Sequence, residues 1–402
     1  MTPSPCPSRG EGGKRGAARY NALLMADSPP CFFDHDPDEL AALFADWGLP
    51  RYRAEQVRRW VYEAGVVDPE QMTDLPRSVR ELLAQRLRFV SGEVVRQQAA
   101  SDGTRKLLLA WPEAGGDAPA GLPVLQEEPE QRPWHTECVM IPTHERRTAC
   151  ISSQVGCPVG CRFCASGLGG LEGNLSAGRI VEQVWWLNQL KESGRITNVV
   201  FMGMGEPLAN FSAVSRAVRA LAAPWGFNIS ARRITVSTVG LPAQMRRLAE
   251  LELPITLALS LHAPNDVLRR QLIPWAERVT IDQLIDAGRY YFERTGREVT
   301  LEYILLGGVN DQAEHARELG QVARRLRSNV NLIRYNEVAG LPYDRPAGED
   351  VHRFQRLLRE AGVNVHIRAS RGRDIAAACG QLRHERRQRE QSIGVSHDPT
   401  RA

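Results

Sequence analysis

From Asp36 to about Phe89 the apolar residues recur at helical spacing. Leu40, Leu43, Phe44 and Trp47 line one face of a first helix that Gly48 ends. Val57, Trp60 and Val61 mark a second helix, and Val79, Leu82, Leu83 and Leu87 a third or fourth. The pattern predicts a small helical domain over residues 34–95. Short strands follow at Lys106–Ala110, beside the turn Asp102-Gly103, and at Thr136–Ile141. They predict a β-rich connector over 96–147, interrupted by a loop where Pro112 to Pro133 is rich in Pro, Gly and Glu.

From Thr148 the rhythm becomes strand, helix, strand, helix. Strands are predicted at Ala149–Ser153, Asn198–Met202, Arg233–Ser237, Ile255–Leu259, Val299–Leu305 and Val330–Arg334. Helices are predicted at Ala177–Lys191, Phe211–Ala222, Pro242–Glu250, Ile281–Arg294 and Ala313–Leu326. Thr280 and Gln283 form a capping-box signature before Ile281. Strict alternation implies parallel strands joined by right-handed crossovers. Six units predict an α/β fold, a partial (β/α)6 TIM-like barrel over 148–382, with the helical domain before it. A doubly wound open sheet is the competing architecture. Residues 1–33 and the basic tail 383–402 carry no packing pattern and are expected to be disordered, and Met25 is a candidate start.

No run of about 18 uncharged apolar residues occurs, which argues against a membrane span. Leu23-Leu24-Met25 is too short for a signal-peptide core, so a cytoplasmic protein is expected. The net charge of +4 does not indicate nucleic acid by itself. Arg232-Arg233, Arg246-Arg247, Arg269-Arg270, Arg324-Arg325 and Arg383 to Arg389 form basic clusters: a phosphate-tracking face, or solvated helix faces. With no interface signature, a monomer is expected.

Cysteine placement changes the picture. Of the eight cysteines, four fall between Cys150 and Cys164. Cys157-x-x-x-Cys161-x-x-Cys164 offers three thiolates within one loop. A [4Fe–4S] cubane has four irons, so three thiolates leave one open to a small molecule binding through nitrogen and oxygen. The alternative is structural zinc with Cys150 or Cys138 as fourth ligand, but no second Cys-x-x-Cys pair exists. In barrel enzymes working residues lie where strands end. Gly203-Met204-Gly205-Glu206-Pro207, Ser237, Ser260-Leu261-His262 and Asn336 all fall there. Gly205 and Glu206 suit the approach and pairing of an ammonium group. Ser237, Ser260, Leu261, His262 and Asn336 are candidates to hold a ribose and an amino-acid moiety.

The runs Cys150-Ile-Ser-Ser-Gln-Val-Gly-Cys157, Gly203-Met-Gly-Glu-Pro-Leu208, Ser260-Leu-His-Ala-Pro-Asn-Asp266 and Ala378-Cys379-Gly-Gln-Leu382 resemble the RlmN family. These are radical S-adenosylmethionine (SAM) RNA methyltransferases, related to Cfr. The resemblance extends from about Asp36 to Leu382. It implies a [4Fe–4S] cluster on Cys157, Cys161 and Cys164, two SAM molecules per turnover, and methylation of adenine C2. The implied targets are adenine 2503 of 23S ribosomal RNA and adenine 37 of some transfer RNAs. By the same resemblance Cys379 carries the methyl group, and a 5′-deoxyadenosyl radical activates it for addition to the ring. Cys150 then releases the product through a transient disulfide with Cys379, and Glu137 removes the ring proton. The resemblance also implies an electron donor such as flavodoxin or ferredoxin, with the helical domain helping to grip RNA. Cfr-type C8 methylation shares all these motifs and stays open. A radical SAM enzyme acting on a peptide or small metabolite, and a zinc-dependent RNA-binding protein, remain further alternatives.

Overall fold

The computed structural model describes residues 29–111, 133–190 and 194–382. The expected extension up to residue 28, residues 112–132 of the expected loop, the predicted helix end at Lys191 and the tail with Arg383 to Arg389 lie outside the described residues.

Ordered chain begins before the expected boundary at 34. Phe32–Asp34 form a short helical turn in which Phe32 and Phe33 are buried. The Phe32 amide donates to the Arg88 carbonyl at 2.8 Å, and both rings pack on Tyr62. Burying one such ring is worth roughly 2–3 kcal/mol, enough to fix a short segment that shows no periodicity. Helix α1 (Pro37–Asp46) starts at a capping box in which Asp36 and Glu39 satisfy each other's backbone amides. Helices α2 (Arg51–Tyr62) and α3 (Arg77–Arg86) complete the domain, with Val57, Val61, Val79 and Leu83 turned inward. The domain shares a continuous apolar core with the rest of the chain.

The connector extends the main sheet. Strands β1 (Glu93–Ala99), β2 (Arg105–Trp111) and β3 (Trp134–Pro142) form an antiparallel meander, and β3 pairs antiparallel with β4 (Arg147–Cys150). Strand β1 was not predicted, because it is a mostly exposed edge strand with no apolar alternation. A small antiparallel hairpin, β5 (Gln154–Gly156) with β6 (Leu171–Asn174), stands apart.

After β6 the chain runs α4 (Ala177–Asn188), β7 (Asn198–Phe201), α5 (Phe211–Ala222), β8 (Ile234–Thr238), α6 (Pro242–Ala249) and β9 (Thr256–Ser260). It continues through α7 (Asp266–Leu272), α8 (Ile281–Thr295), β10 (Val299–Leu305), α9 (Ala313–Ala323), β11 (Ser328–Arg334), α10 (Gly348–Glu360) and β12 (Val365–Arg368). The ten-stranded sheet has the order β1-β2-β3-β4-β7-β8-β9-β10-β11-β12. From β4 onward every pairing is parallel and the order never reverses, so the doubly wound alternative is excluded. The parallel part has seven strands, where six were expected. The missed unit, α10 and β12, supplies the seventh strand. The sheet curls without closing: among the described residues β1 and β12 remain unpaired edges, yet residues from the ends of β8 to β12 line one cavity.

Candidate active site

The cysteine loop is clamped at its base. Gly156 adopts φ 74°, and a side chain there would collide with the Gly170 carbonyl. Across that gap the Cys157 amide donates to the Gly170 carbonyl at 2.9 Å. Cys157, Cys161 and Cys164 then line one cavity. Burial pushes the Cys157 thiol up to about 12, and Cys161 and Cys164 also rise, burial again leading. Buried thiols of this kind become thiolates only beside a strong positive centre, which an iron–sulfur cluster supplies. Among the described residues, no three His, Cys, Asp or Glu side chains close around a single metal ion. Neither proposed fourth zinc ligand lines this cavity: Cys138 is buried in the core cluster and Cys150 lines a second cavity. The residues therefore fit a group as wide as a cubane better than one zinc ion.

Around the same cavity stand Gly203, Gly205, Glu206, Ser237, Ser260 and His262, from the ends of β7, β8 and β9. Gly205 has φ 106°, and an added Cβ would lie 2.7 Å from Gln154 Cβ. Only a bare backbone fits. Glu206 is buried; its two oxygens accept the amides of Leu208 at 2.9 Å and Val239 at 2.8 Å. Burial raises its carboxyl to about 7 against those hydrogen bonds. A carboxylate has about four acceptor sites, so capacity remains for a ligand donor. His262 is held at φ 59°, with Nδ1 accepting the Ile304 amide at 3.1 Å. Burial and then the Arg269 charge lower it to about 3. The ring is thus neutral, and its proton lies on Nε2. Leu261 is different: its side chain is buried in the main core, and its amide and carbonyl are taken by Glu302 and Arg269. It contributes backbone structure and does not line the cavity.

Arg269 also departs from expectation. It is fully buried, donating to the carbonyls of Leu261 and Val239, so Arg269-Arg270 is not a surface cluster. Arg246 and Arg247 lie over Tyr290 and Phe211, and Arg325 pairs with Asp282. Arg232 and Arg233 precede β8, at the opposite end from the cavity.

Cys379 lines both cavities, the one with the three cysteines and the one with Cys150. The Asn336 amide nitrogen reaches the Cys379 carbonyl at 3.3 Å, while its oxygen accepts from Arg345 at 3.2 Å. Asn336 thus lines the Cys150 side and braces the Cys379 segment. Cys150 ends β4, paired in register with Val139, and Glu137 lies two positions along β3 on the same face. Glu137 is buried mid-strand, where the sequence suggested a strand end, and lines neither cavity. Lys106 Nζ lies 2.8 Å from its carboxylate and donates to the Ala376 carbonyl. All the described cysteines are free thiols.

A family model for the Radical SAM superfamily matches residues 151–320, and one for the ribosomal RNA large subunit methyltransferase N-terminal domain matches residues 32–88. A probable dual-specificity RNA methyltransferase RlmN of Rhodopirellula baltica is 42% identical, over 87% of this chain and 89% of that protein. A dual-specificity RNA methyltransferase RlmN of Halorhodospira halophila is 43% identical, over 86% of this chain and 91% of that one. The chain belongs to the RlmN family. The crystal structure of a radical SAM methyltransferase from Sphaerobacter thermophilus shares the fold with a TM-score of 0.81 and 43% identity, covering 88% of this chain and 99% of that one.

As a radical SAM member of the RlmN family, the chain uses a [4Fe–4S] cluster and SAM. No helix among the described residues is long and apolar enough to cross a membrane. Two further cavity residues escaped the sequence. Glu302 is the one charged residue in the fully buried strand β10, a signal visible in the sequence. Arg368 ends the unpredicted β12 and lines both cavities.

Proposed function

We propose that the chain methylates C2 of adenine in RNA, at adenine 2503 of 23S ribosomal RNA and adenine 37 of transfer RNA, through a methylated Cys379. One observation carries the reading: Cys379 stands in the wall common to the three-cysteine cavity and the Cys150 cavity. In this reading Cys157, Cys161 and Cys164 hold the cluster, and Gly205, Glu206, Ser237, Ser260, His262 and the nearby Asn336 orient SAM and the Cys379 segment. When bound, cluster and SAM supply a radical able to remove hydrogen from an unactivated methyl group.

The chain's own residues do the rest. Cys379 presents its S-methyl carbon toward the SAM cavity and, after addition to the ring, tethers the RNA. Glu137 takes the ring proton as the radical adduct gives up its unpaired electron, for which the bound cluster would be the acceptor; its tie through Lys106 to Ala376 fixes it relative to Cys379. The Cys150 thiolate attacks Cys379 sulfur, forming an S–S bond and breaking the S–CH2 bond. The released electron pair stays on the methylene carbon, which takes up a proton to become methyl. A dithiol reductant must then restore both thiols. The target base has to leave its stack to reach this site, which favours splayed RNA over a duplex.

The test is anaerobic methylation of ribosomal and transfer RNA fragments with positional analysis of the product. A 2-methyladenine product on both supports the reading; an 8-methyl product, or methylation that survives Cys379→Ala, rejects it.

A further inference from the structure

Arg368 reaches across the mouth of the curled sheet. It ends edge strand β12, yet its guanidinium lies 3.2 Å from the sulfur of Met202, just past β7. Among the described residues that is its single hydrogen bond, and to a weak acceptor. Glu302, two strands away on β10, stands 3.8 Å from the same guanidinium, an ion-pair distance too long for a hydrogen bond. The facing Glu302 oxygen is buried and accepts no hydrogen bond, while its other oxygen is held by Asn331 at 3.1 Å. Most of the five Arg368 donors are therefore uncommitted. The residues that share both cavity walls with it are Cys379, Met202, Ile333 and Leu382.

We infer that Arg368 is a positioning residue for the thiol exchange, with Glu302 as its opposing charge, and that it acts through Cys150 and Cys379. The inference rests on the proposed exchange between those two sulfurs. The attacking species must be a thiolate, and the resolving thiol is poorly placed to form one. Burial, and then Cys379, push Cys150 up to about 12, with the Arg368 charge the leading opposing influence. Facing Cys150 are Cys379, Arg368 and, from β3, Cys138, and Arg371 lines the same cavity. Facing Cys379 are Arg368, Glu302 of β10 and Cys164 of the cysteine loop. Arg368 is the one cation in both sets. Its charge favours the Cys150 thiolate before attack and the Cys379 position that receives it. When the S–S bond forms, the negative charge leaves with the methylene carbon, and the guanidinium relaxes toward Glu302.

The test uses the full-length reconstituted holoenzyme and two readouts: the pH profile of Cys150 alkylation by iodoacetamide, read by peptide mass spectrometry, and covalent RNA–protein adduct on denaturing gels. Arg368→Gln should move the alkylation midpoint up by about one pH unit, a roughly tenfold slower reaction at fixed pH, and should accumulate adduct. Arg368→Lys, which keeps the charge, should stay within about threefold of the parent. Glu302→Gln, which removes the opposing charge and leaves Arg368 in place, should move the midpoint down and gives a reading even if Arg368→Gln does not fold. A parental profile in Arg368→Gln, equal damage from Gln and Lys, or an upward shift in Glu302→Gln would overturn the inference. Cys150→Ala separates the two levels. If it traps adduct while the Arg368 variants behave as the parent, only this inference falls. If it turns over normally, the exchange itself falls, and the inference with it.

Discussion

The amide of Ala165, one residue past the last loop cysteine, donates to the carbonyl of Gly380, one residue past Cys379, at 2.9 Å. A second link, from the Ser166 hydroxyl to the Leu382 carbonyl at 2.8 Å, runs beside it. The loop proposed to hold the cluster and the segment proposed to carry the methyl group are thus joined directly, without passing through the sheet. Ser166→Ala should remove one link, worth about 1 kcal/mol, together with the hydroxyl's hydrogen bond to the Cys164 sulfur, while all three loop cysteines stay in the chain. We expect faster hydrogen exchange across residues 377–382, unchanged iron content, and methylation of Cys379 slowed about fivefold. Unchanged exchange in that segment would show that the link does not hold it.

Gly205 makes a sharper demand. Its φ of 106° lies outside the range of ordinary residues, and an added Cβ would meet Gln154 Cβ at 2.7 Å and Ser153 Oγ at 2.8 Å. Gly205→Ala should lower stability by roughly 2–4 kcal/mol, combining backbone strain with overpacking. Thermal unfolding checks the loss, and SAM binding should weaken with it. Gly160 also has positive φ, but a Cβ there meets nothing within 4 Å. Gly160→Ala should therefore cost less, which separates crowding from conformation.

Legibility from sequence followed burial and periodicity. Strand β10 is buried along its whole length and was placed residue for residue, as was the Thr280–Gln283 capping box. Edge strands β1 and β12 show no such pattern, because one side of each faces solvent or the cavity mouth. Helix α10 carries an equally readable signal, since Val351, Phe354 and Leu358 repeat at helical spacing, although no helix is predicted there. Adjacent arginines suggested surface clusters, but Arg269 spends its donors on buried carbonyls. Which Arg is buried depends on carbonyls supplied by remote strand ends, and no local window contains them. The cysteine loop was legible because its three cysteines lie close together in sequence. The Lys106–Glu137 and Glu302–Arg368 pairs were not, since each forms between strands distant in sequence.

The Lys106–Glu137 pair lets catalysis be separated from stability. Both side chains are buried, and Lys106 also holds the Ala376 carbonyl. Removing one member of a buried pair costs about 3 kcal/mol, while removing both costs less. Lys106→Met should therefore destabilise the chain, and adding Glu137→Gln should recover part of the loss. Turnover should behave otherwise. If Glu137 takes the ring proton, the double variant stays inactive despite its recovered stability. Denaturant midpoints and methyl incorporation, measured on the same four proteins, decide the point, and an active double variant would remove Glu137 from the mechanism.

His262 gives a pH prediction with a fixed sign. Its folded-state value is lowered to about 3, from an unfolded value near 6.5, by burial and the Arg269 charge. The unfolded chain therefore binds a proton that the folded chain refuses. The stability from keeping His262 neutral is present above about pH 6.5 and is lost as pH falls toward 3. Between those limits this residue contributes a slope of about 1.4 kcal/mol per pH unit. His262→Asn suits the φ of 59° and removes the titrating group. Its denaturant midpoint at pH 7 should be lower than the parent's, because the Ile304 amide loses its acceptor. On acidification the two curves should converge, with the variant the shallower by one proton. Parallel curves would mean that the buried ring is charged in the folded chain, or that its acceptor bond to Ile304 does not form.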